Sequence, residues 1–158
     1  MDHLRGSEGP LVLEYGDYEC PYSRRAYREI QKVERRVAIR FVFRHFPLTE
    51  IHPHALAASA AAEAAALQGG FWEMHGLLFH RQKALDDVDL LAYAAELRLD
   101  VESFRGDIAG ESVLARIRRD VESGMASGEV LGTPTLFIEG EVHRGAFDAG
   151  TLLEAISA

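Results

Sequence analysis

The sequence predicts a single α/β domain, because strand-like and helix-like segments alternate at both ends of its 158 residues. Near the N-terminus, the short apolar segments 11–15 and 39–46 have the length and side chains of strands. Between them, apolar residues recur at helical spacing from residue 22 to residue 33. Strand, helix and strand in this order form a βαβ unit, which implies a parallel pair of strands and a right-handed crossover.

The C-terminal part predicts a second pair of strands followed by a helix. Residues 135–139 and 141–144 are typical of a β-hairpin with Gly140 in its turn, and Asp148 is a suitable cap for a last helix. Each half offers only two strands, too few for independent stability. We therefore expect both halves to build one four-stranded sheet, in a single domain that covers residues 1–158.

Between the two halves, residues 53–128 predict a large, all-helical insertion. Pro53 can open a helix that holds nine alanines between residues 55 and 66 and stops at Gly69 and Gly70. The next segment places Phe71, Trp72 and Phe79 at helical spacing, which predicts core positions rather than a ligand platform.

Charge and hydropathy exclude several classes of function. Lys and Arg number 17 against 25 for Asp and Glu, so the formal net charge is −8. Without a basic excess, binding to the nucleic-acid backbone or to an anionic membrane surface is not expected. No apolar run approaches the ~20 residues that span a bilayer. No signal peptide is visible in this sequence. We therefore predict a cytoplasmic location, or an extracytoplasmic one if a signal peptide has been removed.

The single cysteine, Cys20, stands where the first strand gives way to the first helix, directly before Pro21. One thiol cannot form an internal disulfide or a cysteine-rich metal site. At a helix N-terminus, however, the helix dipole stabilises a thiolate and lowers a cysteine pKa to roughly 3.5–7.5. The position therefore predicts a reactive cysteine rather than a structural one.

Two motifs in this order point to a known family. Residues 14–23 end in Cys20-Pro-Tyr-Ser23, and residues 132–137 read Gly-Thr-Pro-Thr-Leu-Phe. Together with residues 43–47 and 71–75, these segments resemble the DsbA-like branch of the thioredoxin-fold superfamily over nearly the whole chain. The resemblance implies an α/β thioredoxin fold with a helical insertion, and the activity of a thiol–disulfide oxidoreductase.

The resemblance also implies roles for single residues. Cys20 matches the attacking thiol, and Pro134 matches a cis-proline whose preceding residue, Thr133, presents its backbone to an incoming peptide. Pro21 and Tyr22 are expected to contact the substrate beside the sulfur. Tyr18 and Tyr22 are expected to form an apolar rim around it.

Glu14 matches the position of a buried acid beneath the active site of thioredoxin-fold proteins. Burial would raise its pKa and suit it to relay protons during exchange. The alternative is a solvated glutamate that faces the edge of the sheet.

Ser23 departs from the family pattern, because a second, resolving cysteine would stand at this position. With Ser23, a mixed disulfide on Cys20 must be released by glutathione or another thiol, while Ser23 itself could donate a hydrogen bond to the thiolate. Four interpretations of the protein's function remain open. They are a natural monothiol enzyme, a dithiol enzyme whose second cysteine has been replaced, a kappa-like glutathione transferase or isomerase, and a redox-inactive peptide-binding module. The expected partners are protein thiols or disulfides and glutathione, with no cofactor and a monomeric state.

The histidines give no sign of a metal site. His45, His52 and His54 lie close together in sequence, but no carboxylate or cysteine stands at ligand spacing. We therefore predict that His52 and His54 are solvated, that His75 and His80 are surface or partly buried, and that the protein holds no metal.

Overall fold

The computed structural model describes residues 1–158 as a five-stranded sheet with seven helices. The strands are β1 (His3–Arg5), β2 (Leu11–Gly16), β3 (Arg40–His45), β4 (Thr135–Ile138) and β5 (Glu141–Val142). The helices are α1 (Pro21–Glu34), α2 (Ala55–Ala66), α3 (Phe71–His80), α4 (Asp87–Glu96), α5 (Val101–Asp107), α6 (Glu111–Ser127) and α7 (Ala149–Ser157).

The sheet has the strand order β1-β3-β2-β4-β5. The strands β2 and β3 are parallel and are joined by α1, whereas every other pairing is antiparallel. Both the N-terminal βαβ unit and the C-terminal strand–strand–helix unit are therefore confirmed. Since β2 lies at the centre, the chain leaves the sheet from its middle strand and enters α1 through Cys20.

The prediction of four strands was wrong by one, because β1 adds an edge strand that pairs with β3. It places His3 opposite Phe43 and Arg5 opposite Phe41. Three residues are too few to show a period of two, and the only apolar side chain among them, Leu4, is 52% exposed. This strand forms because β3 offers it an edge, which the local sequence does not show.

The helices α2 to α6 lie between β3 and β4 in the chain and pack on the sheet. In α2, nine of the twelve residues are buried, so this alanine-rich helix is enclosed on almost every side. Small side chains let neighbouring helices approach closely, and α2 contacts α3, α4, α5 and α6. The last helix of the insertion, α6, packs against β3.

One hydrophobic cluster joins the sheet to the insertion. It includes Phe41 and Phe43 of β3 and Leu136 of β4, together with Phe79 and Phe104 of the helical insertion. The sheet and the insertion therefore share a core. None of the helices combines the length and the apolar character needed to cross a membrane.

Candidate active site

Cys20 is the N-cap residue of α1, with extended backbone angles (φ −79°, ψ 122°) and Pro21 directly after it. Its N–H donates to the carbonyl of Asp17 (3.0 Å), and its carbonyl accepts from the N–H of Arg24 (3.1 Å). The first turn of α1 holds no acidic residue. The sulfur is therefore attached at the positive end of a helix dipole, with no carboxylate in that first turn to oppose it.

The loop that holds Thr133 lies against this cysteine. The Thr133–Pro134 peptide bond is cis. The Cys20 thiol donates to the Thr133 carbonyl oxygen over 3.5 Å, which brings together residues 113 positions apart. Within this loop, the Thr135 hydroxyl donates to the carbonyl of Gly132 (2.7 Å). Cys20 is only 4% exposed, so this loop partly covers the residue.

The two tyrosines beside the cysteine occupy different environments. Tyr22 is 57% exposed and has the guanidinium of Arg25 over its ring. Tyr18, in contrast, is fully buried, and its hydroxyl is hydrogen-bonded to Nδ1 of His75 (2.8 Å). Tyr22 is thus exposed, as a rim residue must be, whereas Tyr18 is not part of such a rim, because it packs against Phe43 inside the core.

The Ser23 side chain does not make the hydrogen bond predicted for it. Its hydroxyl is buried and accepts from the backbone N–H of Asp17 (3.2 Å), and no hydrogen bond joins it to the Cys20 sulfur. In the third position of α1, residue 23 reaches back to the loop that precedes Cys20. Ser23 thus anchors that loop instead of contacting the sulfur.

The side chain of Asp17 also fixes the loop that precedes Cys20. Its buried carboxylate accepts hydrogen bonds from the N–H of Glu19 (2.8 Å), the N–H of Leu48 (2.9 Å) and Nδ1 of His52 (2.8 Å). These donors satisfy a charge whose burial would otherwise be costly. They also connect the loop before Cys20 to the segment that follows β3.

Glu19 makes a second connection of the same kind. Its carboxylate accepts from the N–H (2.7 Å) and Nδ1 (2.9 Å) of His54, whose Nε2 lies 3.0 Å from Asp86. The hydrogen bond to Glu19 raises the pKa of His54, and Asp86 adds to this effect. The side chain of His54 is 42% exposed, as predicted, whereas that of His52 is 17% exposed and less solvated than predicted. The fold supplies carboxylates to both imidazoles from distant parts of the chain.

The helical insertion contributes Gln82, which sequence reasoning missed. Its side-chain amide donates to the carbonyls of Tyr18 (2.8 Å) and Cys20 (2.9 Å). Nearby, Arg24 donates from Nε to the carbonyl of Phe79 (2.9 Å). No motif marks Gln82, because its role depends on the packing of the turn after α3 against the start of α1.

Glu14 lies in the central strand β2, between Phe43 of β3 and Leu136 of β4. It is 1% exposed, and its Oε2 has no hydrogen-bond partner. Burial raises the pKa of Glu14 to about 8, and the positive charge of Arg5 opposes this shift only in part. The structure thus places Glu14 in the interior and not at a solvated edge.

The comparisons with known proteins agree with this geometry. A family model described as thioredoxin (Thioredoxin_4) matches residues 2–158. The chain belongs to this thioredoxin family. A thioredoxin-like oxidoreductase from Silicibacter pomeroyi is 29% identical, with a TM-score of 0.87 over 99% of this chain and 90% of that one.

Two further solved structures share the fold at lower identity. The thiol–disulfide exchange protein α-DsbA2 from Wolbachia pipientis is 20% identical, with a TM-score of 0.86 over 99% of this chain and 86% of that one. BdbD from Bacillus subtilis is 19% identical, with a TM-score of 0.84 over 99% and 91%. The fold is therefore that of the DsbA-like thiol–disulfide oxidoreductases.

The curated relatives carry a different name. The Na⁺/H⁺ antiporter NhaA 1 of Salinispora arenicola is 44% identical over 160 residues, which are 99% of this chain and 24% of that protein. The NhaA antiporter of Herminiimonas arsenicoxydans is 41% identical over 162 residues, 100% of this chain and 25% of that protein. The chain thus spans about a quarter of the length of the curated relatives that it matches.

A second polar cluster consists of His3, His45 and Glu63. Nε2 of His45 and Nε2 of His3 both lie within hydrogen-bond distance of Oε2 of Glu63, at 2.7 and 2.6 Å. Burial acts against the charge of Glu63, but the hydrogen bonds from the two histidines outweigh it and hold its pKa well below the usual range. His75, predicted near the surface, is fully buried, and burial lowers its pKa well below the ordinary value.

Proposed function

We propose that this chain is a monothiol thiol–disulfide oxidoreductase, in which the thiolate of Cys20 attacks a protein disulfide or a glutathione mixed disulfide. The observation that carries the proposal is the position of the Cys20 sulfur, at the N-terminus of α1 and 3.5 Å from the carbonyl of Thr133. The first feature stabilises the thiolate, and the second supplies backbone groups beside it.

The first step forms one S–S bond and breaks another. The Cys20 thiolate attacks one sulfur of the substrate disulfide, and the other sulfur leaves as a thiolate. The products are a mixed disulfide on Cys20 and one free substrate thiol. The hydrogen bond from Cys20 to Thr133 needs the thiol proton, so ionisation of Cys20 frees the Thr133 carbonyl to accept from a substrate backbone N–H.

The second step requires an external thiol, because Ser23 cannot attack the mixed disulfide. A glutathione thiolate, or a thiolate of the protein substrate, attacks the substrate sulfur and releases Cys20 as a thiolate. With glutathione, the substrate leaves as its glutathione mixed disulfide. In an alternative route, the Cys20 thiolate attacks the glutathione sulfur of such a mixed disulfide and releases the substrate thiolate. A second glutathione thiolate then attacks the bound glutathione sulfur, which gives oxidised glutathione and the Cys20 thiolate.

Two acidic residues stand close to Cys20 in the chain. Asp17 and Glu19 are the nearest carboxylates in sequence, and both are engaged by histidines of the segment after β3. Each imidazole directs a donor at a carboxylate in a charge-assisted hydrogen bond. His52 and His54 thus act as positioning residues for the loop that holds Cys20.

Glu14 is proposed to relay protons during exchange. A carboxyl group with a pKa of about 8 holds a proton at neutral pH and releases it over a small pH range. This property suits a group that must give a proton to a leaving thiolate and later recover it. Its unpartnered Oε2 is free to bind that proton.

The substrate class proposed is an extended, partly apolar peptide segment. Tyr22 is 57%, Ile51 67% and Leu131 91% exposed. An open cavity of about 380 Å³ is lined by residues 47–51 together with Leu131. Because Leu131 lies two residues before Thr133, a peptide bound at the loop can extend onto these apolar side chains.

The test is the turnover of a peptide–glutathione mixed disulfide with glutathione as the reducing thiol. The expected result is catalysis by the natural chain, its complete loss in Cys20→Ala, and its retention in Ser23→Ala. Electrospray mass spectrometry should detect one glutathione attached to Cys20 when the protein is mixed with oxidised glutathione. A Cys20→Ala protein as active as the natural chain would overturn the proposal.

The burial of Cys20 favours one other function, a peptide-binding module without turnover. Only 4% of this residue is exposed, and the Thr133 loop covers part of it. Such a module would bind peptides equally well with Cys20→Ala and would catalyse no exchange. Conjugation of glutathione to an electrophile, without any disulfide, would instead indicate a transferase.

A further inference from the structure

Three polar side chains from separate parts of the chain meet at one side of the sheet. His3 belongs to β1, His45 to the end of β3, and Glu63 to α2. Nε2 of His3 and Nε2 of His45 lie 2.6 and 2.7 Å from the same carboxylate oxygen, Oε2 of Glu63. The three atoms lie within 4.8 Å of one another.

We propose that these three residues, the His–His–Glu cluster, bind a divalent transition-metal ion of the zinc class. Imidazole nitrogens and a carboxylate oxygen are the ligands that Zn²⁺ takes in sites with three protein ligands, which leave a fourth position for water. The proposal does not depend on the thiol chemistry of Cys20, because no ligand of the cluster belongs to the proposed active site.

The two Nε2–Oε2 distances in the cluster must widen to admit an ion. Ligand atoms that surround a tetrahedral zinc ion at its usual bond lengths stand about 3.3 Å apart. The observed separations of 2.6 and 2.7 Å must therefore widen by about 0.6 Å to admit it. His3 can supply the movement for its own distance, since it stands near the chain start in a three-residue edge strand with its side chain 17% exposed. The distance between His45 and Glu63 must widen through a shift of the Glu63 carboxylate.

The other two ligands are fixed more firmly. The side chain of His45 is completely buried, and that of Glu63 is 7% exposed. Nδ1 of His45 has no hydrogen-bond partner.

The same atom limits the affinity. When the metal takes the lone pair of Nε2, the ring proton resides on Nδ1, and in His45 that N–H has no acceptor. Loss of such an outer hydrogen bond typically weakens metal binding about 10–100-fold. We therefore expect a dissociation constant for Zn²⁺ in the micromolar range and not in the nanomolar range.

Aromatic rings surround the cluster and orient its imidazoles. The ring of Phe71 stacks on His3, with centroids 3.7 Å apart and planes 9° from parallel. His45 makes an edge contact with Phe43 and lies 5.9 Å from the ring of Tyr18. These contacts leave the exposed edge of His3 as the route by which an ion and a water ligand enter.

A bound ion would connect the first strand, the sheet and the insertion helix α2. An ion that binds only the folded chain raises its stability with concentration. Tyr18 relates the cluster to the thiol site, because it packs near His45 and stands two residues before Cys20. Because no ligand of the cluster belongs to the proposed active site, we expect the ion to change the stability of the folded chain rather than the thiol reaction itself.

The experiment is a calorimetric titration of the full chain with zinc chloride, after removal of any affinity tag. Cys20→Ala serves as the background, so that the thiol cannot act as a ligand. We expect one ion per chain in this background, with affinity weakened at least about 10-fold when either His3→Ala or Glu63→Gln is added. The matched control is His143→Ala, whose imidazole contacts only the carbonyl of Ala146.

A second measurement uses the chain without substitutions. On addition of zinc, the imidazole carbon–proton NMR signals of His3 and His45 should shift, while that of His143 stays in place. Circular dichroism verifies that each variant is folded. The proposal is overturned if the Cys20→Ala protein binds no zinc, or if binding survives both His3→Ala and Glu63→Gln.

Discussion

Two buried glutamates show how differently the same side chain behaves in two regions of this molecule. Glu14 lies in the central strand of the sheet without a hydrogen-bond partner for Oε2, and burial raises its pKa to about 8. Glu63 lies in α2, where hydrogen bonds from His3 and His45 overcome the effect of burial and hold its pKa well below the usual range. Burial is common to both, so the partners determine the charge.

The difference separates the two carboxylates on the pH scale. Glu14 has a pKa above its ordinary value, so its folded form holds a proton that the unfolded chain has lost between pH 4.5 and about 8. Stability therefore falls over this range as pH rises. Glu63 has a lowered pKa, so its contribution is present above the ordinary value and is lost as pH falls below it.

The largest expected effect is that of Glu14→Gln on the pH dependence of stability. The difference between about 8 and the ordinary 4.5 corresponds to at most about 5 kcal/mol. Urea unfolding from pH 5 to pH 9 should show stability falling in the natural chain and a flatter profile in the variant. The raised pKa of His54 and the lowered pKa of His75 contribute slopes of opposite sign, and both contributions are common to the two proteins and cancel in the comparison.

The exposed Glu8→Gln variant is the control and should reproduce the natural profile. Identical slopes in Glu14→Gln and the natural chain would show that Glu14 titrates near its ordinary pKa. The same variant tests the proposed relay, since loss of a positioned proton donor should slow exchange by about 100-fold.

A somewhat smaller effect is expected from Glu63→Ala. Removal of the carboxylate leaves Nε2 of the buried His45 without its acceptor and frees His3, at a cost of about 3 kcal/mol at pH 7. Helix propensity does not explain such a loss, because alanine is the best helix former. Urea unfolding measures it, with exposed Glu73→Ala of α3 as the control.

If Glu63→Ala costs no more than Glu73→Ala, the hydrogen bonds from His3 and His45 do not stabilise the folded chain. The acid limb gives a second criterion. The natural chain should lose the contribution of Glu63 as pH falls below 4.5, and the variant should lack this part of the loss.

The sequence predicted the location of Glu14 better than that of the carboxylate–histidine pairs. Glu14 stands inside an apolar segment and matches the position of a buried acid in thioredoxin-fold proteins, although the sequence left a solvated edge position as the alternative. The partners of Glu63 stand 60 and 18 positions away, and those of Asp17 and Glu19 stand 35 positions away. The hydrophobic periodicity of the sequence does not reveal such pairings, because they are created by the packing of the insertion on the sheet.

The same distinction explains the tyrosines and the first strand. Tyr18 lies in a polar turn, so local pattern placed it at the surface, yet the insertion covers it with His75 and Phe79. The strand β1 forms on the edge of β3, and the three residues His3–Arg5 give no signal of their own. The helices and strands whose periodicity spans more residues were predicted correctly.

A substitution at Gly16 tests how closely Glu14 is enclosed. A methyl group there would lie 2.5 Å from Cε1 of Phe43 and 2.8 Å from Oε2 of Glu14. We expect Gly16→Ala to cost about 2 kcal/mol, because these neighbours belong to a packed interior. Gly106→Ala, which would meet nothing within 4 Å, is the matched control in urea unfolding.

The double variant Glu14→Ala/Gly16→Ala then separates the two contacts. Coupling between the substitutions would show that part of the cost arises at the carboxylate, whereas strict additivity would assign the cost to Phe43 alone. A Gly16→Ala protein as stable as the natural chain would mean that the strand end is less tightly packed than the structure indicates.

The smallest effect is expected from His3→Ala, measured in buffer that contains a chelator so that no metal contributes. His3 is partly exposed, so its hydrogen bond to Glu63 and its stacking on Phe71 together should contribute about 1 kcal/mol. His143→Ala should change stability by less than about 0.5 kcal/mol. A loss equal to that of Glu63→Ala would place the main partner of the carboxylate on β1 instead of β3. No loss would leave His45 as the residue that keeps Glu63 charged, and the contrast with Glu14 would then depend on one hydrogen bond.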